Sequence, residues 1–142
     1  MLQMLIIGGG IHGVTHRLLQ QTPLTPDDIR ILDPHRELLH EWKQRVRNCG
    51  MRYLRSPSVH HMDIDPYSLD KYAARVENRQ NANFIPPKDR PSVELFHRHC
   101  RMVIYKHRLD ALQIRGRALK ISDRVGHVSV VTSEETIPRK KI

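Results

Sequence analysis

Glycine is concentrated near the start of the chain, where Gly8-Gly9-Gly10-Ile11-His12-Gly13 follows the apolar run 4–7. This G-x-G-x-x-G pattern between a short strand and a helix pattern is typical of dinucleotide-binding sites. Gly8 permits the tight turn, Gly10 lets the backbone approach a pyrophosphate, and Gly13 lets the helix lie against the strand. N–H groups at the helix start would then bind the phosphates. The alternative is a β-turn-α unit without a ligand.

A carboxylate at the end of the next predicted strand is the second candidate for chemistry. Residues 28–33 are expected to form a strand ending in Asp33. The spacing of about 20 residues from the last glycine is typical of an acid that accepts hydrogen bonds from the adenosine ribose. An acid here disfavours a 2′-phosphate, so NADP is not expected, and the loop by itself does not distinguish FAD from NAD. Backbone contacts from Gly9 and Ile11 complete the predicted site, unless Asp33 only initiates a turn before Pro34.

Length and composition exclude several classes of protein. The chain has 142 residues and a formal charge of +9, so we expect one domain spanning 1–142. Its Lys and Arg residues are scattered and not interleaved with aromatic residues, which argues against a nucleic-acid partner. The two cysteines, Cys49 and Cys100, are expected to be reduced, which favours the cytoplasm. No apolar run approaches the length of a membrane span or a signal-peptide core, so no membrane partner is predicted.

Hydrophobic periodicity predicts an α/β fold with a Rossmann-like, doubly wound parallel sheet. The chain begins with a βαβ unit, continues through a helical insertion at about 51–91, and ends in a small antiparallel β flap at about 116–142. The predicted strands are 2–7, 29–33, 112–114, 118–121, 127–132 and 137–142, and the predicted helices are 11–21, 35–48, 69–77 and 93–107.

The third and fourth predicted helices begin after Ser68 and Ser92, which are typical capping residues. The inward stripe of the fourth helix is predicted to be Val93, Phe96, Cys100, Val103 and Ile104. His97 and His99 would then point away from Cys100, so these residues do not converge on a metal. His12 and His16 have helical i, i+4 spacing but no third ligand, and no metal site is predicted.

Four segments of the chain resemble a known family. They are Gly50-Met51-Arg52-Tyr53-Leu54-Arg55-Ser56-Pro57, His60-His61, Asp65-Pro66-Tyr67-Ser68-Leu69, and Arg90-Pro91-Ser92-x-x-Leu95-Phe96. Their order and spacing, together with the glycine motif, cover nearly the whole chain. The chain resembles the N-terminal FAD-binding part of FAD/NAD(P)-binding flavoprotein oxidoreductases, a group that includes lysine and ornithine N-monooxygenases.

The resemblance implies FAD as cofactor and a flavin-dependent, monooxygenase-like oxidoreductase as the complete enzyme. In that family a further strand and a second Rossmann domain for NADPH follow the flap, and a second G-x-G-x-x-G is absent here. The C-terminal part of the full fold is therefore expected to be missing. The chain would be a fragment, a split subunit completed by a partner chain or a downstream domain, or a non-catalytic nucleotide-binding module.

The resemblance also implies roles for residues outside the glycine motif. His60 and His61 fall in the segment placed beside the flavin, where a histidine could donate a proton; the alternative is two surface loop residues. Ser56 could contact the flavin or only shape the Ser-Pro turn. Arg90 could reach the pyrophosphate from the side of the following helix.

Overall fold

The computed structural model describes residues 2–14, 23–76, 83–87 and 89–133, which form a mixed α/β fold. Its strands are β1 (Met4–Ile7), β2 (Ile29–Asp33), β3 (Phe84–Ile85), β4 (Arg90–Pro91), β5 (Gln113–Arg115), β6 (Ala118–Arg124) and β7 (His127–Thr132). Its helices are α1 (His40–Asn48), α2 (Ser68–Val76) and α3 (Val93–Lys106), and a 3-10 turn covers Leu109–Leu112. The predicted α/β class and antiparallel flap are confirmed.

A three-stranded parallel sheet in the order β1-β2-β5 forms the framework for the N-terminal glycines. The strand β2 lies in the middle because apolar side chains on both of its faces are buried: Ile29 and Ile31 on one face and Leu32 on the other are almost completely buried. Ile31 lies opposite Ile6 of β1 and opposite Gln113 of β5. The carboxyl ends of all three strands therefore lie at the same end of the sheet, where the glycine motif begins.

The helices α2 and α3 cover a core that is almost entirely aliphatic. On α3, the side chains of Leu95, Phe96, Cys100 and Val103 are buried. Ser92 caps α3 as predicted, because its hydroxyl oxygen accepts a hydrogen bond from the N–H of Leu95 at 3.1 Å. The cap fixes where α3 begins, and thereby which of its side chains face the core.

The hairpin of β6 and β7 is longer than the sequence predicts and turns at residues 125–126. Gly126 has a φ of 81°, which a hairpin turn requires and glycine adopts without strain. Several large apolar side chains of the hairpin remain exposed, namely Leu119, Ile121, Val125, Val128 and Val131. Within the described residues, β6 and β7 pair with each other and with no other strand.

Two predicted elements begin later than expected because of backbone contacts. The helix expected at 35–48 begins only at His40, because Leu39 adopts a left-handed conformation and donates its N–H to the carbonyl of Gly9 at 2.7 Å. The predicted strand 112–114 is Gln113–Arg115 instead, because Leu112 ends the preceding 3-10 turn. Both shifts arise from contacts with distant or neighbouring backbone that periodicity does not encode.

Two predictions about individual side chains of α2 and α3 are also wrong. Ser68 is the first residue of α2, and its hydroxyl binds the side chains of Asp63 and His99 instead of capping the helix. His99 is fully buried, although the predicted stripe of α3 left it outside. These two corrections belong together because Ser68 and His99 contact each other.

Two predicted elements lie wholly or largely outside the described residues. Of the predicted helix 11–21, the structure describes 11–14, and the predicted strand 137–142 is not described. Across residues 2–14, 23–76, 83–87 and 89–133, no helix combines the length and apolar character that crossing a bilayer needs.

Candidate functional site

The turn after β1 has the steric features expected of the glycine motif. Gly8 has a φ of 106° and donates its N–H to the carbonyl of Leu32 at 2.8 Å, which continues the pairing with β2 into the turn. A Cβ on Gly13 would overlap the carbonyl oxygen of Gly8, so this position accepts no other residue without movement. Val14 donates its N–H to the carbonyl of Gly10 at 3.0 Å, as in the first turn of a helix.

Gly9 and Gly10 differ in what surrounds them. A Cβ on Gly9 would lie 3.0 Å from the carboxylate of Asp33 and 3.0 Å from Leu38, whereas a Cβ on Gly10 would meet no atom of the described residues within 4 Å. The two backbone groups of Gly9 also bond within the chain, to Asp33 and to Leu39. The open approach to the backbone is therefore at Gly10, and Gly9 has the role of holding the loop against the sheet.

Asp33 points toward the glycine loop from the end of β2. Its Oδ2 accepts a hydrogen bond from the N–H of Gly9 at 2.6 Å, and its Oδ1 accepts one from the N–H of His35 at 2.8 Å. The ring Nδ1 of His35 lies 3.0 Å from the same Oδ1. A carboxylate has about four acceptor positions, so one remains for a ligand. Asp33 is only 8 % exposed, as expected of a side chain that links the loop to the sheet. Its remaining acceptor position makes it a candidate for a ligand contact.

His35 is a residue that sequence reasoning missed at this site. Its Nε2 lies 3.1 Å from Glu41, and its ring stacks on His40 with centroids 4.4 Å apart. Its carbonyl accepts a hydrogen bond from the side chain of Gln113, which connects the turn after β2 to β5. An Asp-Pro-His sequence could have signalled a turn closed by the aspartate, since Asp side chains often bond the backbone two residues on.

A small cavity of about 190 Å³ opens beside the loop, at the carboxyl ends of the parallel strands. Its lining includes Gly8, Pro34 and Gly116, and Arg117 brings a positive charge to it. The N–H of Gly116 donates to the carbonyl of Asp33 at 3.0 Å, so β5 and the loop after it are fixed against β2. Ligands of open α/β sheets bind at the carboxyl ends of the strands.

Of the predicted site residues, Gly8 lines this cavity, whereas Gly9, Gly10, Ile11, Gly13 and Asp33 do not. The predicted residues of the helical insertion, His60, His61, Ser56 and Arg90, do not line it either. Ser56 is half-buried in a bend, and His60 is exposed. The Nδ1 of His61 accepts the N–H of Asp63 at 3.1 Å, so its Nε2 carries the proton and donates to the Pro66 carbonyl. The guanidinium of Arg90 donates to the carbonyl of Pro86 at 3.2 Å, across the turn between β3 and β4.

A buried polar cluster between the insertion and α3 was not predicted from the sequence. The hydroxyl of Ser68 donates to Oδ2 of Asp63 at 2.6 Å and lies 2.9 Å from Nε2 of His99. Because the single hydroxyl proton goes to the carboxylate, Nε2 of His99 must be the donor to the serine oxygen. The imidazole therefore does not accept the serine proton, and the arrangement is not that of a serine hydrolase.

Electrostatics in this cluster favour a neutral imidazole beside an ionised carboxylate. Burial, and next the proximity of His61, lower the pKa of His99 to about 4. Burial opposes ionisation of Asp63, but the hydrogen bonds from Ser68 and Ile64 hold the pKa of Asp63 below its ordinary value. At neutral pH these shifts keep His99 neutral and Asp63 ionised, which are the protonation states that the hydrogen bonds of the cluster require. The cluster is therefore structural and not an exposed acid or base.

Comparison with known proteins adds no functional information. No protein family, curated protein or solved structure matches this chain. Within the described ranges, no group of three His, Cys, Asp or Glu side chains could hold a metal ion.

Proposed function

We propose that the chain is an FAD-binding domain with a Rossmann-like fold, and that the dinucleotide binds at the glycine loop. The observation that carries this proposal is the contrast between Gly13 and Gly10. Gly13 accepts no Cβ because the Gly8 carbonyl is in contact with it, whereas no described residue lies within 4 Å of a Cβ on Gly10. A ligand-free turn needs the first feature for close packing, but it has no need of an open glycine between two constrained ones.

The order of the parallel strands supports the Rossmann-like part of the proposal. In the first half of that fold, the strand preceding the glycine turn pairs with the second strand, and the second strand pairs with the third. The order β1-β2-β5 has this arrangement, with the insertion between β2 and β5. The loop, the end of β2 and the start of the hairpin then meet at the carboxyl ends of the parallel strands.

The residues at the carboxyl ends of the parallel strands fit the adenosine diphosphate part of FAD. Gly10 would allow the pyrophosphate to approach the backbone, and Asp33 has an acceptor position left for a ribose hydroxyl. Arg117 would contribute positive charge near the phosphates. Gly9 would hold the loop in place through Asp33 without itself contacting the phosphates.

A bound FAD would supply two-electron redox chemistry through its isoalloxazine ring, and the complete protein would be a flavin-dependent oxidoreductase. The contribution of this chain would be to bind and orient the adenosine end of the cofactor. His61 would hold the 61–66 loop in shape, since both of its ring nitrogens are engaged within that loop.

A titration with FAD followed by flavin fluorescence tests this proposal, with NAD in a parallel titration. We expect saturable quenching of FAD, and Gly10→Val should weaken binding at least about tenfold, because the side chain fills the space used by the pyrophosphate. Ala74→Val is the control, since it places the same side chain on the exposed surface of α2. Binding of neither dinucleotide would overturn the proposal, and binding of NAD alone would overturn the choice of FAD.

The ribose contact has its own test in Asp33→Asn, which keeps the size of the side chain and removes its charge. We expect the affinity for FAD to fall about tenfold, as for loss of a charge-assisted hydrogen bond. Asp123→Asn on the exposed hairpin is the control for the change in net charge. An unchanged affinity would show that Asp33 serves only the turn.

The edge of the parallel sheet favours a second candidate, a module completed by a partner chain. Within the described residues, β1 pairs with β2 alone, so its other edge is open, and the side chain of Ile7 is 48 % exposed. Open edges accept strands from other chains. Light scattering of the purified protein separates the candidates, because a stable monomer that binds FAD would argue against dependence on a partner.

A further inference from the structure

A second and larger cavity, of about 580 Å³, lies between the C-terminal half of α1 and the start of α3. Its floor is the segment 51–53, which is held to both helices by backbone hydrogen bonds. Met51 donates to the carbonyl of Val46 at 3.1 Å, and Val93 donates to the carbonyl of Arg52 at 2.9 Å. The cavity is therefore a fixed feature of the fold, and it shares no lining residue with the one beside the glycine loop.

The charges around this cavity are unbalanced. Lys43, Arg47 and Arg52 line it, against the single carboxylate of Glu94. Lys43 is paired with Glu37 at 2.9 Å, but no carboxylate of the described residues lies within 4 Å of the guanidinium of Arg47 or of Arg52. Two uncompensated guanidinium groups at the mouth of a cavity favour an anionic ligand, because planar guanidinium groups bind carboxylate and phosphate well.

A histidine inside the cavity has an unused polar atom. The Nε2 of His97 is buried, and in the part of the chain that the structure describes it has no hydrogen-bond partner. Burial, and then the nearby cations Lys43 and Arg101, lower the pKa of this imidazole, so the ring is neutral in a positive environment. A neutral ring does not offset the positive charge of Lys43, Arg47 and Arg52 in the same lining.

The remaining lining is suited to a flat apolar group. Trp42 lies against Phe96 of the core with ring centroids 5.3 Å apart, and it presents its other surface to the cavity together with Tyr53 and Met51. Aromatic side chains supply a large contact area to a planar ligand at low entropic cost. The volume lies within the usual range of small-molecule sites, about 300–1,000 Å³.

We propose that this cavity binds a small aromatic carboxylate, with its ring on Trp42 and its carboxylate between Arg47 and Arg52. The cations and the aromatic wall are two independent features of the same cavity. The inference does not depend on the glycine loop, since binding here requires no dinucleotide.

Trp42 is the only tryptophan of the chain, so its indole resonance and fluorescence report on this cavity. The probes are naphthalene-2-carboxylate and the neutral naphthalene-2-carboxamide, titrated into the whole protein while the Trp42 indole N–H signal is followed by NMR. We expect a saturable shift with the carboxylate and at least about tenfold weaker binding of the amide, since the charge-assisted bonds are lost.

The double variant Arg47→Gln/Arg52→Gln should weaken the carboxylate at least about tenfold and leave the amide unchanged. Its matched control is Lys120→Gln/Arg124→Gln, which removes two positive charges from the exposed strand β6. Retained FAD binding by the cavity variant would show that the two sites are independent. An indole signal that does not move, equal binding of both probes, or equal losses in both double variants would each overturn the proposal.

Discussion

The glycine loop and the buried cluster of Asp63, Ser68 and His99 are both polar, but they satisfy their polar groups in opposite ways. In the loop, backbone atoms set the geometry and one glycine faces open space. In the cluster, side chains bond one another in an interior from which water is excluded, and Asp63 is only 5 % exposed. Ligand binding is expected at the first kind of site, whereas the second has only the role of stabilising the fold.

The comparison also shows how similar residue types acquire different roles. Asp33 and Asp63 each accept hydrogen bonds from two residues, but Asp33 does so at the carboxyl end of β2, between Leu32 and Pro34, which line the cavity beside the glycine loop. Asp63 is enclosed by Ser68, His107 and Lys106, with the two basic groups at 3.7 and 4.0 Å. Position in the fold, and not the type of side chain, decides which carboxylate can meet a ligand.

The largest expected effect comes from Gly13→Ala. The added Cβ overlaps the Gly8 carbonyl, so β1 and the following turn must separate, and we expect a loss of about 3 kcal/mol or more in the free energy of unfolding. Urea denaturation measures this loss. Gly10→Ala is the control, because its Cβ meets nothing within 4 Å and should leave stability nearly unchanged. Equal stability of the two variants would contradict the steric account of the loop.

Ser68→Ala tests the buried cluster of Asp63, Ser68 and His99. It removes the hydroxyl between Asp63 and His99 and leaves both buried groups without that partner, so unfolding should become easier by about 2–3 kcal/mol. Ser122→Ala on the hairpin is the matched control, with an expected change within about 0.5 kcal/mol. If both variants were equally stable, the cluster would not be the structural element described above.

The pH dependence of stability provides a third test, through His99. The pKa of His99 is about 4 in the folded protein, below its ordinary value of 6.5. The unfolded chain therefore binds a proton that the folded chain does not between these values, so the stabilising contribution is complete above pH 6.5 and is lost as the pH falls toward 4. From pH 7 to 5, the wild type should lose about 1–2 kcal/mol more than His99→Gln.

Urea denaturation at the two pH values makes this comparison. The difference between the two proteins isolates His99 from the other histidines, which titrate in both. An identical pH dependence would mean that His99 is not held neutral by its surroundings.

The smallest effect is one of reactivity, since it leaves the fold intact. Cys49 is exposed after α1, whereas Cys100 is buried in α3, and burial raises the pKa of the Cys100 thiol to about 12. Iodoacetamide at pH 8 should modify Cys49 and leave Cys100 unmodified until urea is added. Mass spectrometry of the peptides identifies the labelled site, and rapid labelling of Cys100 in the folded protein would refute its enclosure.

Much of the sheet could be predicted from the sequence. The apolar run of β2, the glycine motif after β1 and the alternation in the hairpin are local patterns, and the three parallel strands follow from them. The start of α3 was also predictable, because a serine cap acts on the next turn of its own helix. The function itself stays a prediction that the dinucleotide titrations must test.

Contacts between distant segments account for what the sequence did not reveal. His99 lies 31 residues from Ser68, and nothing in the periodicity of α3 indicates that an imidazole would be buried beside it. The delayed start of α1 likewise depends on Gly9, which is tied to Leu39 by a backbone bond. Such pairings depend on how helices and loops pack, which a single sequence pattern does not specify.

The sequence by itself determined the local geometry of this protein: where the chain turns sharply at glycine, which strand is buried on both faces, and where a helix is capped. Those features depend on neighbouring residues and backbone sterics. Only the tertiary structure decided that Asp33 closes onto Gly9, that Gly10 stays open, and that Ser68 joins Asp63 to His99. Burial and hydrogen-bond pairing are properties of the packed chain, because they depend on which distant groups exclude water from a given atom.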